Sequence, residues 1–95
     1  MRLLEVGQLV TSRQGRDLGR KYVVVQLYDD KHVGVADGWA RKLNRPKRKN
    51  VKHLVIHREK LDAGRLDDKT IRAFIEQHSS VEEVRKEVLQ DHGQG

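Results

Sequence analysis

Residues 7–24 read GQLVTSRQGRDLGRKYVV, and this stretch decides the fold. Leu9 to Ser12 starts apolar after a glycine and predicts a first strand. Lys21 to Tyr28 is rich in β-branched and aromatic residues and predicts the second and clearest strand. Between them, Gln14 to Gly19 contains two glycines and an aspartate, which is typical of a loop. The stretch therefore predicts two strands joined by a basic, glycine-containing loop.

Three further strands are predicted downstream, separated by turns and loops. Asp29 to His32 is a polar turn, and Asp37-Gly38 is a strong hairpin signal. A basic loop with the single proline covers Asn44 to Asn50. The strands themselves are expected over His32 to Ala36, Trp39 to Leu43 and Val51 to Ile56. Short strands at intervals of roughly ten residues predict a mainly β fold, a small five-stranded barrel.

After residue 60 the pattern becomes helical. Asp67 or Asp68 can cap a first helix, and Ser80-Val81-Glu82-Glu83 is a capping box that begins a second. His78-Ser79 separates the two helices. The apolar residues within each helix are spaced three and four apart: Ile71, Phe74 and Ile75 in the first, and Val81, Val84 and Val88 in the second. The sequence thus predicts a β-barrel domain over 1–60 and an acidic extension of two short α-helices over 61–95.

Length and composition exclude several classes of protein. A chain of 95 residues is one domain, or one domain with an appendage. It has no cysteine, which excludes a disulfide framework and a cysteine-ligated zinc. Purely apolar runs such as Val23-Val24-Val25 are no longer than three residues, too short to span a membrane, and the first seven residues lack the apolar stretch of a secretory signal. We expect a small basic protein of the cytoplasm.

The positive charge is concentrated in the first part of the chain. Residues 1–60 carry 15 Lys and Arg against 6 Asp and Glu, a net charge of +9, whereas residues 61–95 carry 5 against 8, a net charge of −3. Seven cations fall within the twelve residues 41–52. Clustered charge of one sign attracts phosphates more strongly than scattered charge. We favour nucleic acid as the partner over a solubility loop, which would mix both signs, or a membrane surface, which would use an amphipathic helix.

The same stretch, 7–24, resembles a KOW motif, in which a strand, a glycine-centred basic loop and a second strand follow each other. The residues that fall in register are Gly7, Val10, Gly15, Arg16-Asp17, Gly19, Arg20, Val23 and Val24. With its continuation to about residue 60, the chain is similar to bacterial KOW-domain RNA-binding proteins related to the fourteenth large-subunit ribosomal protein of archaea and eukaryotes. The resemblance implies a barrel of the Src-homology-3 type that binds RNA, most often ribosomal RNA.

Two basic stretches supply the candidate RNA-binding residues. Gly15 can adopt a positive φ and, having no Cβ, lets a phosphate approach the backbone. Arginine can bind phosphate through two hydrogen bonds, whereas lysine acts as a mobile point charge. The candidates are Arg13, Gly15, Arg16, Arg20 and Lys21 in the first stretch, and Trp39, Arg41, Lys42, Arg45, Lys47, Arg48, Lys49, Lys52 and His53 in the second. Asp17 is expected to cap the turn by accepting a backbone N–H.

Several alternatives remain open at this point. Trp39 can stack on an unpaired base, although a place in the core or at the edge of the barrel is the commoner role. His53 can contact RNA or be an ordinary surface histidine. The apolar helical residues can dock a protein, such as a ribosomal protein, or simply cover the open side of the barrel. If these residues dock a protein, the chain is an interaction module of the transcription or translation machinery. Charge alone does not separate RNA from DNA as the bound nucleic acid.

Catalytic and metal sites are not predicted. His53 and His57 lie four apart in a predicted strand, where they would be roughly 13 Å apart, too far for one ion. The segment Gly15 to Arg20 has the wrong spacing for a nucleotide-binding P-loop and leads into a strand instead of a helix. The carboxylate pairs fall in turns and first helical turns, whose local geometry explains them. We therefore expect a protein without cofactor or enzymatic activity.

Overall fold

A computed structural model describes residues 4–78. Its strands are β1 (Gln8–Ser12), β2 (Lys21–Leu27), β3 (His32–Ala36), β4 (Lys47–Asn50) and β5 (Leu54–Lys60). They form one five-stranded sheet in the order β4-β3-β2-β1-β5, and every neighbouring pair is antiparallel. The predictions for β1, β2 and β3 are confirmed to within one residue.

Both faces of the sheet are covered, which explains the continuous apolar run in β2. Successive side chains of a strand point to opposite faces. One face carries a core of Leu4, Val10, Tyr22, Val24, Val33, Val35 and Leu54. The opposite face carries Leu9, Val23 and Ala36, which pack against Ile71 and Ile75 from the C-terminal segment.

The C-terminal segment contains the helix that covers this second face. We call it α1; it occupies residues 68–78 of the part that the structure describes. Asp67 caps it, because its Oδ1 accepts the backbone N–H of Thr70 at 2.7 Å. Ile71 and Ile75 are 0% and 5% exposed. The first predicted helix, its cap and its apolar face are thus confirmed. No helix within residues 4–78 is long and apolar enough to cross a membrane.

Between residues 37 and 60 the structure departs from the predictions. The predicted strand from Trp39 to Leu43 is wrong: this segment has no regular structure. The fourth strand is instead Lys47–Asn50, inside the predicted basic loop, where it pairs with β3. Val51–His53 is a turn of 3-10 helix, so the last strand starts at Leu54 and not at Val51.

The second predicted helix, with its capping box at Ser80 and its valines, lies outside the described residues. The sequence predicts an interruption of the helix at His78-Ser79. Residue 78 is still helical, and it is the last residue that the structure describes. Since Ile71 and Ile75 are buried on the sheet, the first helix covers a face of the fold and does not leave these side chains free to dock a partner.

Candidate nucleic-acid interface

The carboxylate of Asp17 lies at the centre of the loop between β1 and β2. Its side chain is 10% exposed. Oδ1 accepts hydrogen bonds from Ser12 Oγ at 2.8 Å and from Lys49 Nζ at 3.2 Å. Oδ2 accepts from Tyr22 Oη at 2.8 Å and from Lys47 Nζ at 3.1 Å. One carboxylate therefore connects the loop, both strands that flank it and β4.

These contacts set the protonation of Asp17 and Tyr22. Burial by itself would raise the pKa of Asp17, but the hydrogen bonds from two neutral hydroxyls and two ammonium groups outweigh it and hold the pKa well below its usual range. Burial, together with the hydrogen bond to this carboxylate, raises the pKa of Tyr22. The prediction that Asp17 caps the turn through a backbone N–H is wrong, because side chains occupy its oxygens.

The loop itself is a tight turn with Gly15 at its exposed end. Gly15 has a φ of +92°, as predicted, a conformation that side chains with a Cβ rarely adopt. A Cβ there would meet only Asp17 Oδ1 at 3.7 Å, so the backbone angle and not crowding requires glycine. The N–H of Gly19 donates to the carbonyl of Ser12 at 2.8 Å and closes the loop. Arg13 and Arg16 are exposed on either side of Gly15.

Two candidate lysines are held inside and are not mobile charges. Lys49 is 9% exposed, and its ammonium group is bound to Ser12 and Asp17. Lys47 is half-buried and also binds this carboxylate. The reason is the register of β4: Lys47 and Lys49 lie opposite Val35 and Val33 and so point to the same face as those core residues. Both ammonium groups therefore pair with Asp17 inside the fold.

Arg48 points to the other face of β4 and is exposed. Its guanidinium lies 5.0 Å from the centre of the Tyr28 ring, a cation–π arrangement, and 3.8 Å from Asp29 Oδ2. Tyr28 is 38% exposed. The exposed carboxylate of Asp29 accepts the backbone N–H groups of Lys31 and His32, and these bonds lower its pKa.

The second basic stretch begins with a loop that is built on Asp37. This residue is 2% exposed, and its Oδ1 accepts the N–H groups of Trp39 at 2.8 Å and Arg41 at 2.9 Å. Its Oδ2 lies 3.7 Å from Arg20 Nη1. Asp37 therefore fixes the backbone that carries Trp39 and Arg41 and links it to the end of the first loop.

Helix α1 holds the same loop from the other side. Arg72 Nη1 donates to the carbonyl of Gly38 at 2.8 Å, and Asp68 Oδ1 accepts the N–H of Leu43 at 2.7 Å. Gly38 has a φ of +82°, and a Cβ there would collide with the backbone carbonyl of Asp68. No local sequence pattern indicates these contacts of Asp68 and Arg72, because they join residues 25 and 34 positions apart in the chain.

Trp39 does not belong to the core. It is 46% exposed and is absent from both apolar clusters, so of the two packing roles expected for it, in the core or at the edge of the barrel, the core is excluded. A buried aspartate and the helix hold its backbone, while the ring remains accessible.

Direct contacts bring the two basic stretches together. Arg20 lies beside Asp37, Lys47 binds Asp17, and the N–H of Arg13 donates to the carbonyl of the half-buried His53 at 2.9 Å. The exposed cations of these stretches, which we call the basic surface, are Arg13, Arg16, Arg20, Arg41, Lys42, Arg45, Arg48 and Lys52. Lys21 is half-buried at the start of β2.

The histidines of residues 4–78 are not gathered around a common site. His57 Nε2 lies 2.6 Å from Thr11 Oγ1 on the neighbouring strand. Within residues 4–78, no group of three His, Asp or Glu side chains is arranged to hold a metal ion.

Two curated proteins are similar to this chain over most of their length. The large ribosomal subunit protein eL14 of Aeropyrum pernix is 31% identical over 77 residues, which cover 79% of this chain and 77% of that protein. The protein of the same name from Pyrobaculum islandicum is 29% identical over 90 residues, which cover 93% of this chain and 86% of that protein. No protein-family model matches the chain.

Proposed function

Because the chain belongs to the family of large ribosomal subunit protein eL14, we propose that it is a non-enzymatic RNA-binding protein, ribosomal or ribosome-associated. It contacts folded ribosomal RNA through the phosphates, in the cytoplasm, and has ribosomal proteins as further partners through its C-terminal helices. Phosphate contacts position a protein on RNA without reading its sequence, and folded RNA is recognised largely by shape. We further propose that residues 1–60 are a bacterial KOW domain whose sheet closes into a barrel, with residues 61–95 as an acidic helical extension.

The observation that carries this proposal is the basic surface. Its cations come from two stretches of the chain that Asp17 and Asp37 hold together, and all of them except Arg48 lie in the loops and turns that join the strands. Arg16 and Arg13 flank the exposed backbone at Gly15, which leaves room for a phosphate. The arginines bind phosphate oxygens bidentately, and the exposed lysines add point charges. Lys47 and Lys49 contribute by fixing the first loop, and Lys21, Trp39 and His53 complete the proposed interface.

A pair of matched double variants tests the proposal. Arg41 and Arg45, both exposed in the basic surface, are replaced by alanine in one protein, and the exposed Arg58 and Arg65, outside it, in the control. Both proteins lose the same charge, so a difference between them reports position. We expect the first variant to bind a transcript of large-subunit ribosomal RNA about tenfold more weakly, with a salt slope shallower by about 2. Binding is measured by filter retention at several salt concentrations.

Two results would count against the proposed interface. Equal weakening in both variants would mean that only net charge matters, and unchanged affinity in the Arg41/Arg45 variant would remove that segment from the site. Unchanged thermal unfolding in both proteins confirms that each variant is folded.

A further inference from the structure

An open hollow of about 440 Å³ lies where β2, the Asp37 loop and helix α1 meet. Its volume falls within the range of about 300–1,000 Å³ that is typical of small-molecule sites. The residues that line it differ in chemistry: two cations, an exposed indole, an apolar side chain and two carboxylates. These are Arg20, Lys21, Trp39, Ile75, Asp37 and Glu76.

The indole of Trp39 is the main apolar surface that this hollow offers. It is 46% exposed, although a folded chain gains free energy by burying such a ring. Two contacts fix the backbone beneath it, the bond from its own N–H to Asp37 and the bond from Arg72 to Gly38. A ligand that stacks on this ring therefore meets a surface that is already positioned, and loses little affinity in ordering it.

From this hollow we infer that the protein binds one unpaired nucleotide of its RNA, with the base stacked on Trp39 and the phosphate at Arg20 and Lys21. The inference rests on the proposed function and names the part of the RNA that this site would take. Aromatic side chains bind unpaired bases by stacking, and neighbouring cations pair with the backbone. A fully paired helix does not fit, because its bases are stacked on each other.

Glu76 gives the hollow a preference among bases. Asp37 is 2% exposed, its Oδ1 accepts the N–H groups of Trp39 and Arg41, and its Oδ2 lies 3.7 Å from Arg20 Nη1. Glu76 is exposed and is therefore the carboxylate of the hollow that can contact a base. An ionised carboxylate only accepts hydrogen bonds. Adenine, cytosine and guanine carry an amino group that donates to it, whereas the base-pairing edge of uracil offers a single N–H between two carbonyl oxygens that repel a carboxylate. The site should therefore select an amino-bearing base.

The single tryptophan makes the hollow directly observable, since all indole fluorescence of the chain comes from Trp39. The full-length protein is titrated with single-stranded hexamers of adenylate, cytidylate and uridylate, and with a fully paired RNA duplex. We expect the adenylate and cytidylate hexamers to quench the fluorescence, the uridylate hexamer to bind about fivefold more weakly, and the duplex to bind without quenching.

Three variants separate stacking from base selection. Glu76→Gln keeps the size of the side chain but can also donate, so the preference over uridylate should fall to near unity while quenching remains. Glu59→Gln, an exposed glutamate of β5 outside the hollow, is the matched control and should keep the preference. Trp39→Leu should weaken binding of the adenylate hexamer about tenfold, measured by fluorescence anisotropy of a labelled hexamer.

The outcomes distinguish this inference from the proposed function. If the protein binds large-subunit RNA but no hexamer quenches Trp39, the nucleotide site is refuted and the proposed function stands. Equal quenching by the three hexamers, unchanged in Glu76→Gln, refutes the base preference. If the hexamers quench while large-subunit RNA is not bound, the proposed function alone is overturned.

Discussion

At the scale of single residues, Asp17 joins the loop between β1 and β2 to three strands through its carboxylate. It accepts hydrogen bonds from Ser12, Tyr22, Lys47 and Lys49, and these donors come from β1, β2 and β4. Hydrogen bonds to a charged group contribute more than neutral ones, and a buried charge without its partner is costly. The single acidic residue of the basic loop is therefore the one that fixes the shape of the loop.

We expect Asp17→Asn to lower the free energy of unfolding by about 3 kcal/mol at neutral pH, because it leaves the buried ammonium group of Lys49 without its counter-charge. Urea denaturation followed by circular dichroism measures the loss. The control is Asp29→Asn, which also removes a paired carboxylate, but an exposed one. Its effect should be clearly smaller.

The pH dependence of the free energy of unfolding gives a second test of the role of Asp17. The pKa of Asp17 is lowered on folding. Its stabilising contribution is thus complete above the unfolded-state pKa of about 3.9 and disappears as the pH falls through the folded-state pKa. The difference in stability between wild type and Asp17→Asn should therefore be constant near neutrality and shrink below about pH 4. A difference that does not change with pH would contradict this assignment.

At the scale of elements, helix α1 has two functions in the fold. Its apolar side covers one face of the sheet through Ile71 and Ile75, and its polar side fixes the loop of Trp39 through Asp68 and Arg72. A sheet with one open apolar face would expose Leu9, Val23 and Ala36 to water. The helix therefore packs residues 68–78 of the acidic extension onto the basic sheet.

We expect Ile71→Ala to lower the free energy of unfolding by about 3 kcal/mol, because this side chain is fully buried and its loss leaves a cavity. Ile71→Val, which removes a single methylene, should lower it by about 1 kcal/mol. Thermal and urea unfolding of the two variants measure the series. An Ile71→Ala protein as stable as the wild type would show that the helix is not packed on the sheet in solution.

At the scale of the whole molecule, the distribution of charge decides what the protein can bind. Not all of the 15 cations of residues 1–60 are available to a partner, because Lys47 and Lys49 pair with Asp17 inside the fold. Arg20 and Arg48 also lie within 4 Å of a carboxylate, at 3.7 and 3.8 Å. Within residues 4–78, the cations of the basic surface that form no such pair are Arg13, Arg16, Arg41, Lys42, Arg45 and Lys52.

We expect these six cations to give RNA binding a steep salt dependence. If each neutralises one phosphate, the logarithm of the affinity falls against that of the salt concentration with a slope of about −4 for single strands and about −5 for a duplex. Titration of a large-subunit RNA fragment between low and physiological salt measures the slope. A slope near zero would contradict phosphate contacts as the basis of binding.

The pattern of the chain alone was sufficient for β1, β2, β3, a helix cap at either Asp67 or Asp68, and the buried side of α1. These features depend on local causes: alternation of apolar residues, turn-forming residues between them, and an aspartate ahead of a helical spacing. The segregation of charge between 1–60 and 61–95 is likewise a property of the sequence.

Only the tertiary structure decided which residues of the second basic stretch form a strand and which point to solvent. A run of Lys-Arg-Lys-Asn carries no apolar alternation; it becomes β4 because the edge of β3 pairs with it and because Asp17, 30 positions away from Lys47, neutralises two of its lysines. Trp39 is exposed for a similar reason, since buried Asp37 and helix α1 shape its loop. Contacts between distant segments set these outcomes, and no local pattern encodes them.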